Sequence, residues 1–240
     1  RKRIFHDPLH TLAFGTDASF YRLIPKMVIM ANDEKEVSLI MHECSTLAVP
    51  VTFRASGTSL SGQAVTDSVM VIAGENWKGY QITDNGSKIK IQPGLTGGKI
   101  NTLLAPYGRK IGPDPASIKS ATIGGIVANN ASGMSSGTVK NAYNTIQSVR
   151  IILFDGTILD TGDNTSKDEF LKSHSHFVEE IKSLAKSVNE NPRLSERIRK
   201  KFKIKNTTGY SLNALADYTD PFDIIAHLMI GSEGTLGFIS

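Results

Sequence analysis

The sequence predicts an α+β protein made of two α/β lobes. Three observations carry this expectation. Met27-Val-Ile-Met30, a helical stretch and Val49-Pro-Val-Thr-Phe53 follow one another with short links, the pattern of a βαβ unit with two parallel strands. Ile111-Gly-Pro-Asp-Pro-Ala-Ser117 excludes regular structure because prolines remove backbone donors and fix φ. That interruption sets the boundary between lobe one, about 1–110, and lobe two, about 111–240. Beyond it, Ser148–Phe154 and Thr157–Thr161 flank Asp155-Gly156, a β-hairpin signature.

In chain order, residues 1–24 read as irregular, with a turn at Asp17-Ala-Ser-Phe-Tyr-Arg22. Asn32 or Asp33 caps a helix whose Val37, Ile40, Met41, Cys44 and Leu47 recur at helical spacing and form its buried face. Cys44 on that face reads as a packed thiol, not a nucleophile. Ser68–Ile72 and Lys88–Ile91 read as strands, with a turn at Asp84-Asn-Gly86. Trp77 reads as a packing anchor rather than a binding platform. A helix is expected from Thr96 to Tyr107, with Ile100, Leu103, Leu104 and Tyr107 on one face and Gly108 ending it. Another is expected from Asp168 to Val188, with Phe177, Ile181, Leu184, Ala185 and Val188 as its apolar stripe. Asp220-Pro221 starts a further helix, with proline at its first position. The last ten residues read as a glycine-rich turn leading into a strand.

Composition is that of an ordinary globular chain: of 240 residues, 40% are hydrophobic and 21% charged. The net charge of +4 permits attraction to anions without demanding nucleic acid. Arg193, Arg197, Arg199, Lys200, Lys201, Lys203 and Lys205 cluster, but no interleaved aromatics offer bases a stacking platform, so a solvated face is the plain reading. Cys44 is the only cysteine, which excludes an intrachain disulfide and fits a reducing, cytoplasmic setting. No run of eighteen apolar residues occurs, so no transmembrane segment is expected. The start of the sequence lacks the apolar core of a signal peptide. There is no P-loop: Gly94-Leu-Thr-Gly-Gly-Lys99 has the wrong spacing. The dinucleotide fingerprint of the Rossmann fold is missing as well. His174 and His176 diverge on a helix, so they read as solvated and no metal is expected.

What remains distinctive is a set of loops rich in glycine and hydroxyl groups. Arg54-Ala-Ser-Gly-Thr-Ser-Leu-Ser-Gly62 follows a buried strand. Gly57 there can take positive φ, successive N–H groups make an anion-binding concavity, and four hydroxyls add donors. The guest would be a phosphate or diphosphate; a surface turn is the alternative. Thr122-Ile-Gly-Gly-Ile-Val-Ala-Asn-Asn-Ala-Ser-Gly133 is small throughout. A helix start there would offer free N–H groups to an anion, and the small side chains would let a flat group lie against the backbone. Close helix–sheet packing is the alternative.

Five motifs in one order carry a resemblance: Arg54–Gly62, Gly112-Pro-Asp-Pro-Ala-Ser117, Ile123–Gly133, Lys205-Asn-Thr-Thr-Gly-Tyr210 and Gly231-Ser-Glu-Gly-Thr-Leu-Gly237. Together they resemble the FAD-binding domain of p-cresol methylhydroxylase type in the vanillyl-alcohol oxidase-like superfamily. Within it they are similar to FAD-linked D-2-hydroxy acid dehydrogenases, the group of D-lactate dehydrogenase, the glycolate oxidase FAD subunit and D-2-hydroxyglutarate dehydrogenase. The resemblance implies two lobes with FAD between them, residues 1–240 being the FAD-binding domain. It places Arg54, Ala55, Ser56, Gly57, Thr58 and Ser59 around the diphosphate. Pro113, Asp114, Ala116, Ser117, Thr122, Gly124 and Gly125 run beside the flavin and diphosphate, the two glycines as a turn. Asn129, Asn130, Ser132 and Gly133 line the flavin, and Glu233, Gly234, Thr235, Leu236, Gly237 and Ile239 close over the adenine side. Members with covalent FAD often carry histidine where Thr58 stands, so FAD is expected to be non-covalent.

The family's substrate cap, with its acid–base histidines, follows the Glu-Gly-Thr-Leu-Gly segment. No catalytic residue is therefore expected within these residues, which read as a fragment without its cap and inactive alone. The full enzyme would oxidise a D-2-hydroxy acid of lactate, glycolate or 2-hydroxyglutarate type by hydride transfer to FAD. Its partners would be that substrate and an electron acceptor, in the cytoplasm or at the inner membrane as a peripheral protein. The alternative is a non-catalytic flavin-binding or electron-transfer subunit, docking on a partner through the basic 193–205 segment. A nicotinamide-dependent reductase of the same fold is disfavoured by the Pro-Asp-Pro and Asn-Thr-Thr-Gly-Tyr segments.

Overall fold

The computed structural model describes residues 3–73, 75–206 and 209–240. Strand β1 (Ile4–Phe5) and helix α1 (Pro8–Ala13) open the chain, where irregular structure was expected. The start signal of α1 is Asp7-Pro8: Asp7 accepts the His10 N–H, and Pro8 stands at the first helical position. Six residues with Leu9 and Leu12 exposed give too little apolar periodicity to see in the sequence.

Next come β2 (Met27–Ala31), α2 (Glu34–Thr46), β3 (Val51–Arg54) and β4 (Val69–Ala73). The sheet order is β1-β2-β4-β3, so β2 and β3 do not pair; each runs parallel to β4 between them. The continuous apolar run Val69-Met-Val-Ile-Ala73 suits that central slot, and Met70 and Val71 are fully buried. Asp33 caps α2 by accepting the Glu36 N–H. Val37 and Met41 are buried, but Cys44 is only partly covered and Leu47 is 69% exposed. The apolar face therefore fades over the last turn of α2, contrary to the periodic expectation.

Strands β5 (Tyr80–Thr83) and β6 (Lys88–Ile91) form an antiparallel hairpin whose turn is Asp84-Asn-Gly86. Helix α3 (Gly97–Leu104) is capped by Thr96 and continues as one 3₁₀ turn. Gly108, at φ 65°, ends that turn as expected. Tyr107 points away from the core, 45% exposed. Short helices α4 (Ile123–Asn129) and α5 (Ala142–Thr145) lead to β7 (Arg150–Ile152) and β8 (Ile158–Asp160), the expected hairpin with Gly156 at φ 87°. Helices α6 (Asn164–Asn189), α7 (Pro192–Phe202), α8 (Ala214–Asp217) and α9 (Pro221–Leu228) follow, and β9 (Phe238–Ile239) completes a sheet of order β8-β7-β9.

On α6 the buried residues are Phe170, Val178, Ile181, Ala185 and Val188, while Leu184 is 52% exposed. The backbone leaves helical geometry at His174 (φ −127°, ψ 32°), which shifts the phase of the apolar stripe. His174 is not the solvated residue the spacing implied. It stacks on Phe170 with centroids 4.4 Å apart, and its Nε2 lies 2.9 Å from an Asp155 carboxylate oxygen. His176 is exposed.

The largest core cluster joins β7 to α6, α8 and α9. A second gathers Ala31, Val37, Val71 and Trp77 with Ile152 and Phe238, and so draws on both sides of residues 110–120. Trp77 is the expected anchor: it is 1% exposed, its Nε1 donates to the Ala31 carbonyl at 2.8 Å, and its ring meets Phe238 edge-on at 5.3 Å.

Candidate functional site

The first loop begins where β3 ends. Arg54 does not reach outward from it. Its Nη1 donates to the carbonyls of Phe14 (3.2 Å) and Thr16 (2.8 Å), and the guanidinium lies over the Phe14 ring. Burial lowers the Arg54 pKa and Asp17 opposes that. Gly57 has φ 69°, and a Cβ there would stand 2.5 Å from Arg54 Nη2. The Ala18 N–H donates to the Gly57 carbonyl at 3.0 Å, and Ser56 Oγ donates to the Ser120 carbonyl at 2.7 Å. Ser59 Oγ donates to Gln63 Oε1. The loop is thus fixed from outside, while the N–H groups of Ser56, Gly57, Thr58 and Ser59 have no acceptor among the described residues. Ala55 is exposed beside them.

Helix α4 lies next to this loop. Gly124 and Gly125 belong to its first turn rather than to a preceding one. Successive helical residues point about 100° apart, so the two glycines serve different neighbours. A Cβ on Gly124 would meet Pro93 Cβ at 2.6 Å, whereas one on Gly125 would meet Ala55 Cβ at 3.2 Å. Close packing therefore accounts for Gly124. The helix start is also less free than expected: the Ile123 and Gly124 N–H groups donate to the carbonyls of Leu95 (2.8 Å) and Pro93 (3.1 Å). Thr122 bridges to Thr96 and makes no side-chain cap. Among the described residues, the Gly125 N–H in the first turn of α4 joins those of the first loop in having no acceptor.

The Pro113–Ser117 segment packs against residues 132–136. Asp114 Oδ1 accepts the N–H groups of Gly133 and Ser136, both at 3.1 Å. Hydrogen bonds from Ser136 above all hold the Asp114 carboxyl below its usual range. A Cβ on Gly133 would lie 2.0 Å from the Asp114 carbonyl oxygen, so only glycine fits. Pro113 is buried and Ala116 exposed, and the Ser117 carbonyl accepts the N–H groups of Ser120 and Ala121. Ser132 is buried and its carbonyl accepts Lys205 Nζ at 2.5 Å, which draws in the fourth motif. Thr207 and Thr208 of that motif lie outside the described residues. The rest of the basic cluster is exposed on and beside α7, while Arg199 donates to Ser195 Oγ and the Ala216 carbonyl.

At the end of α4, Asn130 takes left-handed geometry (φ 51°) and is buried. Asn129 Nδ2 donates to Glu233 Oε1 at 2.5 Å, and Gln63 Nε2 approaches the same oxygen at 3.4 Å. Glu233 is itself left-handed (φ 56°), and its N–H donates to the Ala128 carbonyl. Burial pushes its carboxyl up, opposed by the bonds from Asn129 and Gln63. Gly234 (φ 79°) stands against Phe53, and Thr235 Oγ1 pairs with the Tyr210 hydroxyl at 2.9 Å. Leu236 joins the main core, a Cβ on Gly237 would stand 2.7 Å from the Ile152 carbonyl oxygen, and Ile239 pairs with Ile151 in the sheet.

Gly124 also lines a cavity of about 860 Å³ with Pro93, Pro113, Val127 and Ile239, and Lys88 and Lys90 stand on its wall. That volume suits a large organic ligand. Of the sequence-predicted site residues, Pro113, Gly124 and Ile239 line it; Leu236 and Gly237 lie against the core and the β7 backbone, and the others gather at the first loop and around the ends of α4. Gln63 and Pro93 were missed. Pro93-Gly94 carries a turn signal, whereas nothing in the sequence marks Gln63. Among the described residues no group of three or more metal-ligating side chains occurs, and no helix is long and apolar enough to cross a membrane.

The model of the family described as "FAD binding domain" matches residues 25–162. D-2-hydroxyglutarate dehydrogenase of Pseudomonas putida is 26% identical over 100% of this chain and 24% of its own length. Glycolate oxidase subunit GlcD of Escherichia coli is 29% identical over 67% of this chain and 33% of its own. Among solved structures, an alkyldihydroxyacetonephosphate synthase superposes with a TM-score of 0.61 at 16% identity, covering 99% of this chain and 35% of that one, and shows a shared fold. The chain therefore spans about a quarter to a third of the length of these proteins.

Proposed function

Because the chain belongs to the FAD binding domain family, we propose that it binds FAD across α4 as part of a longer oxidoreductase acting on a D-2-hydroxy acid. The diphosphate takes the N–H groups of Ser56–Ser59. The flavin follows Asn129–Gly133, and the adenine side runs toward Ile239 and the cavity. Residues 1–240 act as one cofactor domain in two lobes that share the second core cluster.

The run of acceptor-free N–H groups around left-handed Gly57 carries this reading. A diphosphate satisfies such groups with charge-assisted hydrogen bonds. When bound, FAD supplies a two-electron acceptor for the hydride on C2 of the hydroxy acid. This chain's own residues bind and orient: Asp114 and Gly133 fix the 113–117 segment, and Arg54 and Ser56 hold the first loop in place. The acid–base groups and the carboxylate site belong to the cap expected elsewhere in the full protein, together with contacts to the electron acceptor. Thr58, at the position where covalent members carry histidine, makes the attachment non-covalent.

Purified protein should release FAD into solution on denaturation. FAD added to the stripped protein at a hundred times Kd should stabilise it by about 2.7 kcal/mol. No release, no uptake and an unmoved Tm would overturn the proposal.

A further inference from the structure

Glu233 occupies an unusual place. It is a half-buried carboxylate on a left-handed backbone, where most non-glycine residues are uncommon. Its recorded interactions, besides burial, are hydrogen bonds from two amides, Asn129 Nδ2 and Gln63 Nε2, with no charged partner among them. A strained residue persists where its surroundings over-determine it, and such places gather at functional sites.

Gln63 connects this carboxylate to the first loop. Its Oε1 accepts from Ser59 Oγ while its Nε2 donates to Glu233, so both ends of one amide are committed. Its own N–H donates to Ser59 Oγ at 3.3 Å. The chain Ser59–Gln63–Glu233–Asn129 thus joins the loop that bears the free N–H groups to the end of α4 and to the glycine-rich C-terminal turn. Each segment comes from a distant part of the sequence; residues 63 and 233 are 170 positions apart.

We propose that Gln63 and Glu233 form a clasp that holds the first loop at its distance from α4, and that Gln63 is a positioning residue for FAD, acting through Ser59 and the loop. This rests on the reading of the first loop as the diphosphate site. The polarity of the clasp is fixed: position 63 must donate to position 233 while accepting from Ser59. A carboxylate at position 63 would face the Glu233 carboxylate at hydrogen-bond distance, and like charges there repel. Moving the charge instead of adding one removes the repulsion. With Gln63→Glu and Glu233→Gln together, position 63 still accepts from Ser59, but Asn129 and position 63 meet position 233 at one and the same atom, which in an amide cannot both accept from Asn129 and donate to position 63, so one bond of the clasp is lost.

The test is a cycle of FAD titrations on wild type, Gln63→Glu, Glu233→Gln and the pair, with Gln63→Met as an uncharged variant of similar length. Circular dichroism of each stripped protein checks folding. Gln63→Glu should weaken FAD binding by at least about tenfold, and Gln63→Met by about three- to tenfold, a loss of up to ~1.4 kcal/mol. The pair should recover to about the level of Gln63→Met, a coupling that independent sites would not show. If Gln63→Met binds FAD like wild type, or the pair binds no better than Gln63→Glu, the clasp is wrong while the cofactor reading stands. A wild-type chain that takes up no FAD overturns the cofactor reading and the clasp with it.

Discussion

At the scale of single residues, Gly57 and Arg54 act on one another. A β-branched side chain at Gly57 must adopt φ near 69° and place its Cβ 2.5 Å from Arg54 Nη2. The backbone strain alone is worth on the order of 1–3 kcal/mol. Displacing the guanidinium also releases the carbonyls of Phe14 and Thr16. Gly57→Val should therefore weaken FAD binding by about one to two decades and lower Tm as well. Cys44→Ala is the contrast. The thiol is only partly covered, so its removal leaves a small cavity, costs about 1 kcal/mol or less and leaves FAD affinity unchanged. Titration of FAD into both folded variants decides the matter, and equal affinities would remove the first loop from the site. The positive φ that the sequence allowed at Gly57 is observed, because a glycine among hydroxyl residues after a buried strand is free to take it. At Arg54 a cation in an anion-binding loop suggests a ligand contact, and only the fold shows its two carbonyl partners. The hydrogen bond from Gln63 to Glu233 was invisible, since no local spacing connects the two residues.

At the scale of elements, α4 shows how one glycine pair divides its work. Alanine in place of glycine favours a helix by up to about 1 kcal/mol. At Gly124 that gain meets Pro93, whose ring has no rotamer by which to withdraw from a Cβ 2.6 Å away. Overpacking of this kind costs about 1–3 kcal/mol. Gly124→Ala should then lower Tm by a few degrees, since ~1 kcal/mol shifts Tm by about 2–4 °C in a chain of this size. Gly125→Ala faces Ala55 Cβ at 3.2 Å, and a few tenths of an ångström suffice there. Its Tm should stay near wild type, and a fall equal to that of Gly124→Ala in melting curves would refute the division. Helices and strands with long apolar patterns were legible: β2, β4, α3, α6 and α9 stand close to where periodicity and capping put them. Short elements were legible only where a turn signal marked them, as at β6, β7 and β8. β5 has four residues and α1 six, fewer than a period needs to declare itself. Strand order was not legible for a different reason. A βαβ pattern fixes that β2 and β3 are parallel, but not that the chain returns to insert β4 between them.

At the scale of the whole molecule, the proline-rich interruption near residues 111–117 suggests two lobes, yet the packing ties the chain across it. Ile152 and Phe238 sit in one cluster with Val71 and Trp77, and Phe238 touches both Phe53 and Trp77 at ring-centroid distances of 5.0 and 5.3 Å. A joint built from aromatic rings and fully buried aliphatics couples the stability of the parts it connects. Two signals can follow the parts separately. Trp77 is the only tryptophan and lies among β2 and β4, so its fluorescence reports the N-terminal sheet. Far-UV circular dichroism is dominated by helices, and more than half of the α-helical residues lie in 164–228. Denaturant unfolding of the intact chain should give coincident curves by the two signals, because neither half keeps its core once the joint opens. Phe238→Ala should lower the common midpoint through a loss of about 3–5 kcal/mol. If the wild-type fluorescence and dichroism transitions separate, the two lobes unfold independently, and the shared cluster contributes packing without cooperativity.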